Sequence, residues 1–203
     1  MQEVPSSESR SSDAGEAAAR EPTRRLYFAL WPSEEERKAL VHATRKIVRA
    51  AGGRRMPPGN LHITLAFLGS VPERRIPELE AAAGRAAQAF RAAGGVPVNV
   101  TLDRIEHWAK PQIVGATTSL PPRAAADLAS ILRRELVAAG FAPDLKPFRA
   151  HVTLVRKVAR RTMSDVEMPP VTWSFTGFAL VESRTTPSGS LYSIVRSWPL
   201  DGG

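Results

Sequence analysis

The chain has 203 residues, 43% hydrophobic and 24% charged, proportions of a soluble globular protein with one sizeable domain or two small lobes around a shared core. The absence of cysteine excludes disulfides, thiolate nucleophiles, cysteine-ligated zinc and iron–sulfur clusters, and with no apolar run approaching ~18 residues and no apolar stretch near the start, neither a membrane span nor a secretory leader is expected. The expected compartment is the cytoplasm. The net charge of +8 understates the part expected to fold, since 26 basic and 15 acidic side chains remain once residues 1–23 are set aside; that excess favours a polyanionic partner such as nucleic acid, although a solvated basic surface accounts for charge alone equally well.

Residues 1–23, rich in Ser, Glu and Ala without apolar periodicity, cannot bury enough surface to offset their ordering entropy and are expected to form a disordered tail, leaving 24–203 as one domain. RLYFALWP, from Arg25, reads as an apolar strand closed by proline. A helix follows, with Ser33 as N-cap, acids in its first turn and Gly-Gly to stop it. After the turn MPPGN, LHITLAFLGSV from Leu61 is a strand with Leu61, Ile63 and Leu65 on one face and His62, Thr64 and Ala66 on the other. ERRIPELEAAAGRAAQAFRAAGG is a second helix, and VPVNVTLDRIEHW and KPQIVGATTS are two further strands. Ala125, Leu128, Leu132, Leu136 and Ala139 recur at helical spacing before Gly140, giving a third helix. HVTLVRKV from His151 is a strand, RRTMSDVEMPP an exposed loop, VTWSFTGFALVES one long strand, and GSLYSIVRSWPL the last. The order β-α-β-α-β-β-α-β-β-β predicts an α+β fold of antiparallel sheets with helices packed outside.

Two of the four histidines sit in the same setting, His-apolar-Thr-Leu, about 90 residues apart: His62 with Thr64, and His151 with Thr153. Period-two alternation sends each His and Thr to one side of its strand, while the residue between them anchors the other side in a core. An imidazole with an unperturbed pKa of about 6.5 beside a neutral hydroxyl donor suits a phosphoryl group. Two such pairs facing one cleft supply an acid, a base and donors for the non-bridging oxygens, the set that phosphodiester hydrolysis needs without metal. Neither motif contains a carboxylate or second histidine at ligand spacing, so no metal and no cofactor is expected. Arg149, Arg156 and Lys157 flank the second motif as candidate substrate contacts. Strand parity argues against Arg156, five residues from His151, unless the strand bulges. Phe28 and Phe148 lie next to motif-bearing segments and are candidates to stack on a base, although core packing is the favoured reading for both. His42 and His107 do not repeat the pattern. The four tryptophans, scattered along the chain, read as core and lobe-junction residues rather than a stacking platform.

The two HxTx motifs, set within RLYFALWP, NLHITLAFLG, LDRIEHW, KPFRAHVTLVRK and GSLYSIVRSWPL, resemble the 2H phosphoesterase superfamily and within it the bacterial and archaeal RNA 2',3'-cyclic phosphodiesterases, also called 2'-5' RNA ligases. The likeness runs from about Arg25 to Leu200. It implies a bilobal fold of two pseudo-symmetric antiparallel sheets with a cleft between them. It also implies that His62 protonates the 3'-oxygen leaving group, that His151 activates water, and that Thr64 and Thr153 hold the phosphate. The residues alone leave the two imidazoles equivalent. The expected substrates are RNA ends or small cyclic nucleotides, and the expected state is a monomer. Two alternatives remain open at this point: a nucleotide-binding module that has lost turnover, and RNA ligation by the reverse reaction.

Overall fold

A computed structural model describes residues 21–95, 97–158, 166–187 and 189–201, so all but the last three residues of the expected tail lie outside it. Among the described residues nine strands and three α-helices follow one another: β1 (Thr23–Leu30), α1 (Glu34–Ala50), β2 (Arg54–Arg55), β3 (Ile63–Pro72), α2 (Ile76–Ala92), β4 (Val98–Trp108), β5 (Ile113–Thr117), α3 (Arg123–Ala138), β6 (His151–Arg156), β7 (Val166–Phe175), β8 (Gly177–Thr186) and β9 (Gly189–Pro199). They form two sheets in which every recorded pairing is antiparallel, one ordered β3-β1-β8-β9 and the other β2-β6-β5-β4-β7. The architecture is α+β, as expected. β1 takes in the last residue of the expected tail, since Thr23 pairs with Pro72.

Each helix forms for a local reason and buries one face. Ser33 caps α1 in a reciprocal box: its hydroxyl accepts from the Glu36 amide at 3.2 Å, and the Glu36 carboxylate accepts from the Ser33 amide at 2.7 Å. Glu36 then binds the other sheet, since its carbonyl accepts the Trp173 indole N–H at 2.9 Å and its carboxylate the Ser174 amide at 2.6 Å on β7. In α3, Leu128, Leu132 and Leu136 are completely buried with Ala125 and Ala129 beside them, the stripe that the periodicity predicts. Truncating one of these leucines to Ala is worth about 2–5 kcal/mol. No helix among the described residues is long and apolar enough to cross a membrane.

Two expectations are corrected by the pairing. VTWSFTGFALVES is not one strand: β7 pairs with β4 in the five-stranded sheet, and β8, one residue later, pairs with β1 and β9 in the four-stranded sheet. The chain passes between sheets at Thr176–Gly177, where Gly177 packs so closely on the Trp198 carbonyl that a Cβ would stand 2.8 Å from it. Val166–Pro170, expected as loop, continues β7; the rest of that loop, to residue 165, lies outside the described residues.

The strands carrying the two motifs are both bulged. Against β1, Ala29 faces Thr64 and Phe28 faces Ala66, leaving Leu65 unpaired; against β5, Gly115 faces Thr153 and Val114 faces Val155, leaving Leu154 unpaired. The extra residue directly follows the threonine in each case and resets the parity of everything after it.

Candidate active site

The bulge in β6 decides where Arg156 goes. With Leu154 as the extra residue, both Leu154 and Val155 are buried, and Arg156 returns to the face carrying His151 and Thr153. A cavity of about 190 Å³ lies on that face, lined by Thr64 of β3 and His62 immediately before it, by His151, Thr153, Arg156 and Ile113 from the other sheet, and by Met56 and Asn60 from the segment between β2 and β3. The two His-x-Thr pairs therefore converge on one space.

Both imidazoles are oriented in the same way. The Nδ1 atom of His62 lies 2.7 Å from the Asn60 carbonyl, and that of His151 lies 2.8 Å from the Arg149 carbonyl, two residues back in each chain segment. A carbonyl only accepts, so each Nδ1 carries hydrogen and each Nε2 is left for chemistry. Asn60 is itself held, its side-chain amide donating to the Ser190 carbonyl at 2.9 Å.

The surroundings of the two rings differ. His62 stands in an aromatic box: Tyr27 at 4.9 Å, Tyr192 edge-on at 5.4 Å and Trp31 stacked at 5.6 Å and 15°. Burial in this box, aided by the positive charges of His151, Arg156 and Arg37 and opposed by the Asn60 carbonyl, pushes the His62 pKa down to about 4. Burial also raises the pKa of Tyr27, whose hydroxyl has no hydrogen-bond partner among the described residues. Among the described residues His151 meets one aromatic ring, Trp108, edge-on at 5.3 Å. The Trp108 ring reaches it by lying over Gly115, where any Cβ would stand 2.7 Å from the indole.

Trp31 and Trp108, expected at the core and lobe junction, instead flank the two histidines. Each also carries an arginine on its ring: Arg37 at 5.1 Å from Trp31, and Arg149 at 5.4 Å from Trp108. The clue was available in the sequence, since both tryptophans end apolar strands, ALWP and IEHW. Trp173 and Trp198 are core residues as expected.

Three candidate contacts stand elsewhere. Phe28 is completely buried against Phe178 and Trp198, leaving no face for a base. Phe148 is half-buried against the main core and lines a groove beside α3 with Arg133 and Lys146. The Arg149 guanidinium does not line the cavity: it is paired with Glu106, which also accepts from the Thr117 hydroxyl at 3.0 Å, and lies over Trp108, while its carbonyl orients His151. His42 is exposed on α1, and His107 is half-buried away from the cavity. Met56, Asn60, Ile113, Tyr27 and Tyr192 gave no signal in the sequence. Among the described residues no group of three or more His, Asp or Glu side chains is placed to hold a metal ion.

Comparison with known proteins places this geometry. A model of the family described as LigT-like phosphoesterase matches residues 30–115 and 119–192. The RNA 2',3'-cyclic phosphodiesterase of Escherichia coli K12 is 30% identical over 179 residues, covering 87% of this chain and 97% of the relative. The protein of the same name from Thermus thermophilus is 34% identical over 190 residues, 88% of this chain and 91% of the relative. Among solved structures, E. coli LigT complexed with 3'-AMP superposes with a TM-score of 0.74 at 28% identity, covering 89% of this chain and all of that one. A Thermus thermophilus crystal structure gives 0.71 at 30% identity, covering 87% and 97%. Since the matched residues run through both sheets and include both His-x-Thr strands, the chain belongs to the LigT-like phosphoesterase family.

Proposed function

We propose that this protein hydrolyses 2',3'-cyclic phosphates at RNA ends to 2'-phosphates. The convergence of two imidazole Nε2 atoms, two threonines and Arg156 on one cavity carries the reading, and the relatives bearing the name RNA 2',3'-cyclic phosphodiesterase support it. The solved relatives of E. coli hold 3'-AMP, ATP and NADP+, so nucleotides are the ligand class favoured for this cavity.

In the reaction, water attacks phosphorus as His151 Nε2 takes its proton, the bond from phosphorus to O3' breaks, and His62 Nε2 protonates O3'. Thr64 and Thr153 donate to the non-bridging oxygens, and Arg156 offsets their charge. The assignment of acid and base follows the resemblance. It requires His62 to be protonated, which burial in the aromatic box opposes. Substrate supplies the remedy. An anion about 4 Å from the ring stabilises imidazolium by about 4 kcal/mol at an effective dielectric constant of about 20, lifting its pKa by about 3 and returning it close to neutrality. The phosphate that is to be cleaved thus charges the acid that cleaves it.

The test is hydrolysis of a short RNA ending in a 2',3'-cyclic phosphate in excess EDTA by the wild type, His62→Ala and His151→Ala. The expected product is a 2'-phosphate, and each variant should lose about 10²- to 10⁴-fold in kcat. Binding without turnover by the wild type would point to a nucleotide-binding module instead.

A further inference from the structure

The catalytic cavity does not end at Arg156. Through Met56, Asn60 and Arg156 it shares walls with a cavity of about 430 Å³, set between β2 and the β8–β9 turn. That second cavity shares Arg55, Met56 and Pro57 with a third, of about 390 Å³, which runs between the same segment and α1. Five arginines line this path in order: Arg156, then Arg54 and Arg55, then Arg45 and Arg49. Among the described residues no carboxylate lines any of the three cavities.

What distinguishes the five is that they lie along one path without a counter-charge; Arg25, Arg37, Arg91, Arg104, Arg123 and Arg133 also lack an acidic partner among the described residues but do not line it. Arg24, Arg75, Arg85, Arg149, Arg184 and Arg196 each pair with an acid, whereas none of the five on the path does so among the described residues. Two of them are set against each other. Arg54 and Arg156 are directly opposite in the β2–β6 pairing, and like charges at facing positions of a sheet destabilise it. An Arg54 Nη atom lies 3.4 Å from where a Cβ on Gly189 would stand, so the guanidinium spans toward the β8–β9 turn. A repulsion with no acid to relieve it, continuous with a phosphate-sized site, fits a string of anions. The floor of the third cavity adds apolar surface from Val41, Val48, Pro58 and Leu61, suited to base faces.

We infer that the RNA strand on the 5' side of the cyclic end runs from the catalytic cavity past Arg54 and Arg55 onto Arg45 and Arg49 of α1, making an oligonucleotide rather than a cyclic mononucleotide the preferred substrate. The inference rests on the activity proposed above and adds the residues that hold the strand beyond its cyclic end. Each phosphate neutralised along the path releases counterions, so binding of a long substrate is steeply salt-dependent.

Two measurements separate this path from the activity itself. The first compares kcat/KM for an RNA octamer ending in a 2',3'-cyclic phosphate with that for 2',3'-cyclic AMP. The second follows, by fluorescence anisotropy between 50 and 200 mM salt, binding of the labelled octamer ending in a 2'-phosphate. The double variants R45Q/R49Q and R54Q/R55Q are compared with R134Q, which removes an exposed charge on α3. In the wild type the octamer is expected to be favoured about 100-fold, each double variant should cut that ratio about tenfold, and each should flatten the salt slope by about 1.4, two contacts at about 0.7 each. Equal kcat/KM for both substrates overturns the path, as do double variants that behave like R134Q. If neither substrate is turned over while the double variants still flatten octamer binding, the path stands and the activity falls. Turnover of the mononucleotide with silent double variants means the reverse: the activity stands and the path falls.

Discussion

Replacing His62 by glutamine should remove a specific component of acid sensitivity from the fold. In the native protein the aromatic box holds the His62 pKa at about 4, while in the unfolded chain an imidazole titrates near 6.5. The folded value is the lower one, so as pH falls the unfolded chain takes up the proton first: the destabilisation sets in below about pH 6.5 and is complete near pH 4. At about 1.36 kcal/mol for each pH unit between the two values, the full effect is about 3 kcal/mol, of which about 2 kcal/mol appears between pH 7 and 4.5. Urea unfolding of the wild type and His62→Gln at both pH values isolates it, because every other titrating group is common to the two proteins. With a slope of about 2 kcal/mol per M, the wild-type midpoint should fall by about 1 M more than the variant's over that interval. Parallel pH dependence in the two proteins would refute the buried-imidazole argument, as would NMR titration of His62 near 6.5 in the empty cleft. Inorganic phosphate should raise the NMR-detected value toward 7; an unchanged value would refute charging by substrate.

Three further outcomes follow from the geometry. Because His62 must carry a proton in the complex, kcat should fall as pH rises through about 7, which a pH–rate profile under saturating substrate checks. Gly115→Ala places a methyl 2.7 Å from the Trp108 ring and 3.1 Å from the Val152 carbonyl; it should cost about 1–3 kcal/mol in urea unfolding and lower kcat by moving Trp108 off His151. Glu182, nearly buried on β8, is hydrogen-bonded by Arg24 at 2.6 Å and Arg184 at 3.0 Å, and these hold its carboxyl below the usual range. Glu182→Gln should therefore destabilise by about 1–3 kcal/mol at pH 7, with the difference shrinking as pH falls through the carboxylate range and the wild type loses its own charge.

What the sequence disclosed was what local chemistry writes down. Ser33 and Glu36 announce the start of α1 three residues apart, Leu128, Leu132 and Leu136 repeat at helical spacing, and His62 and His151 declare themselves by repetition. Long-range pairing writes nothing comparable. The unpaired Leu65 and Leu154 are ordinary strand residues, yet without the second of them Arg156 would face away from the site. The Arg54–Arg55 strand is two residues long and exists only because β6 lies beside it. The alternation through Phe175 and Gly177 continues across a change of sheet, so period alone read one strand. Phe28 was open to misplacement because LYFAL is apolar on both faces: Leu26, Phe28 and Leu30 enter the main core while Tyr27 and Ala29 lie in the smaller cluster beside His62. No periodicity distinguishes the two faces of such a strand.

The passage of the chain from one sheet to the other and back has a consequence at the ribosome. β1 and β3 leave the exit tunnel well before the strands that complete their sheet, β8 and β9, are made. At about 5–20 residues per second, on the order of 10 s separates the synthesis of Thr64 from that of Tyr192. Throughout that interval β1 offers an open, largely apolar edge to any passing strand, which is the form of nascent chain that chaperones shield. Translation must also run past Tyr192 before the box around His62 closes, so a product arrested before that residue carries the first motif without a finished catalytic centre.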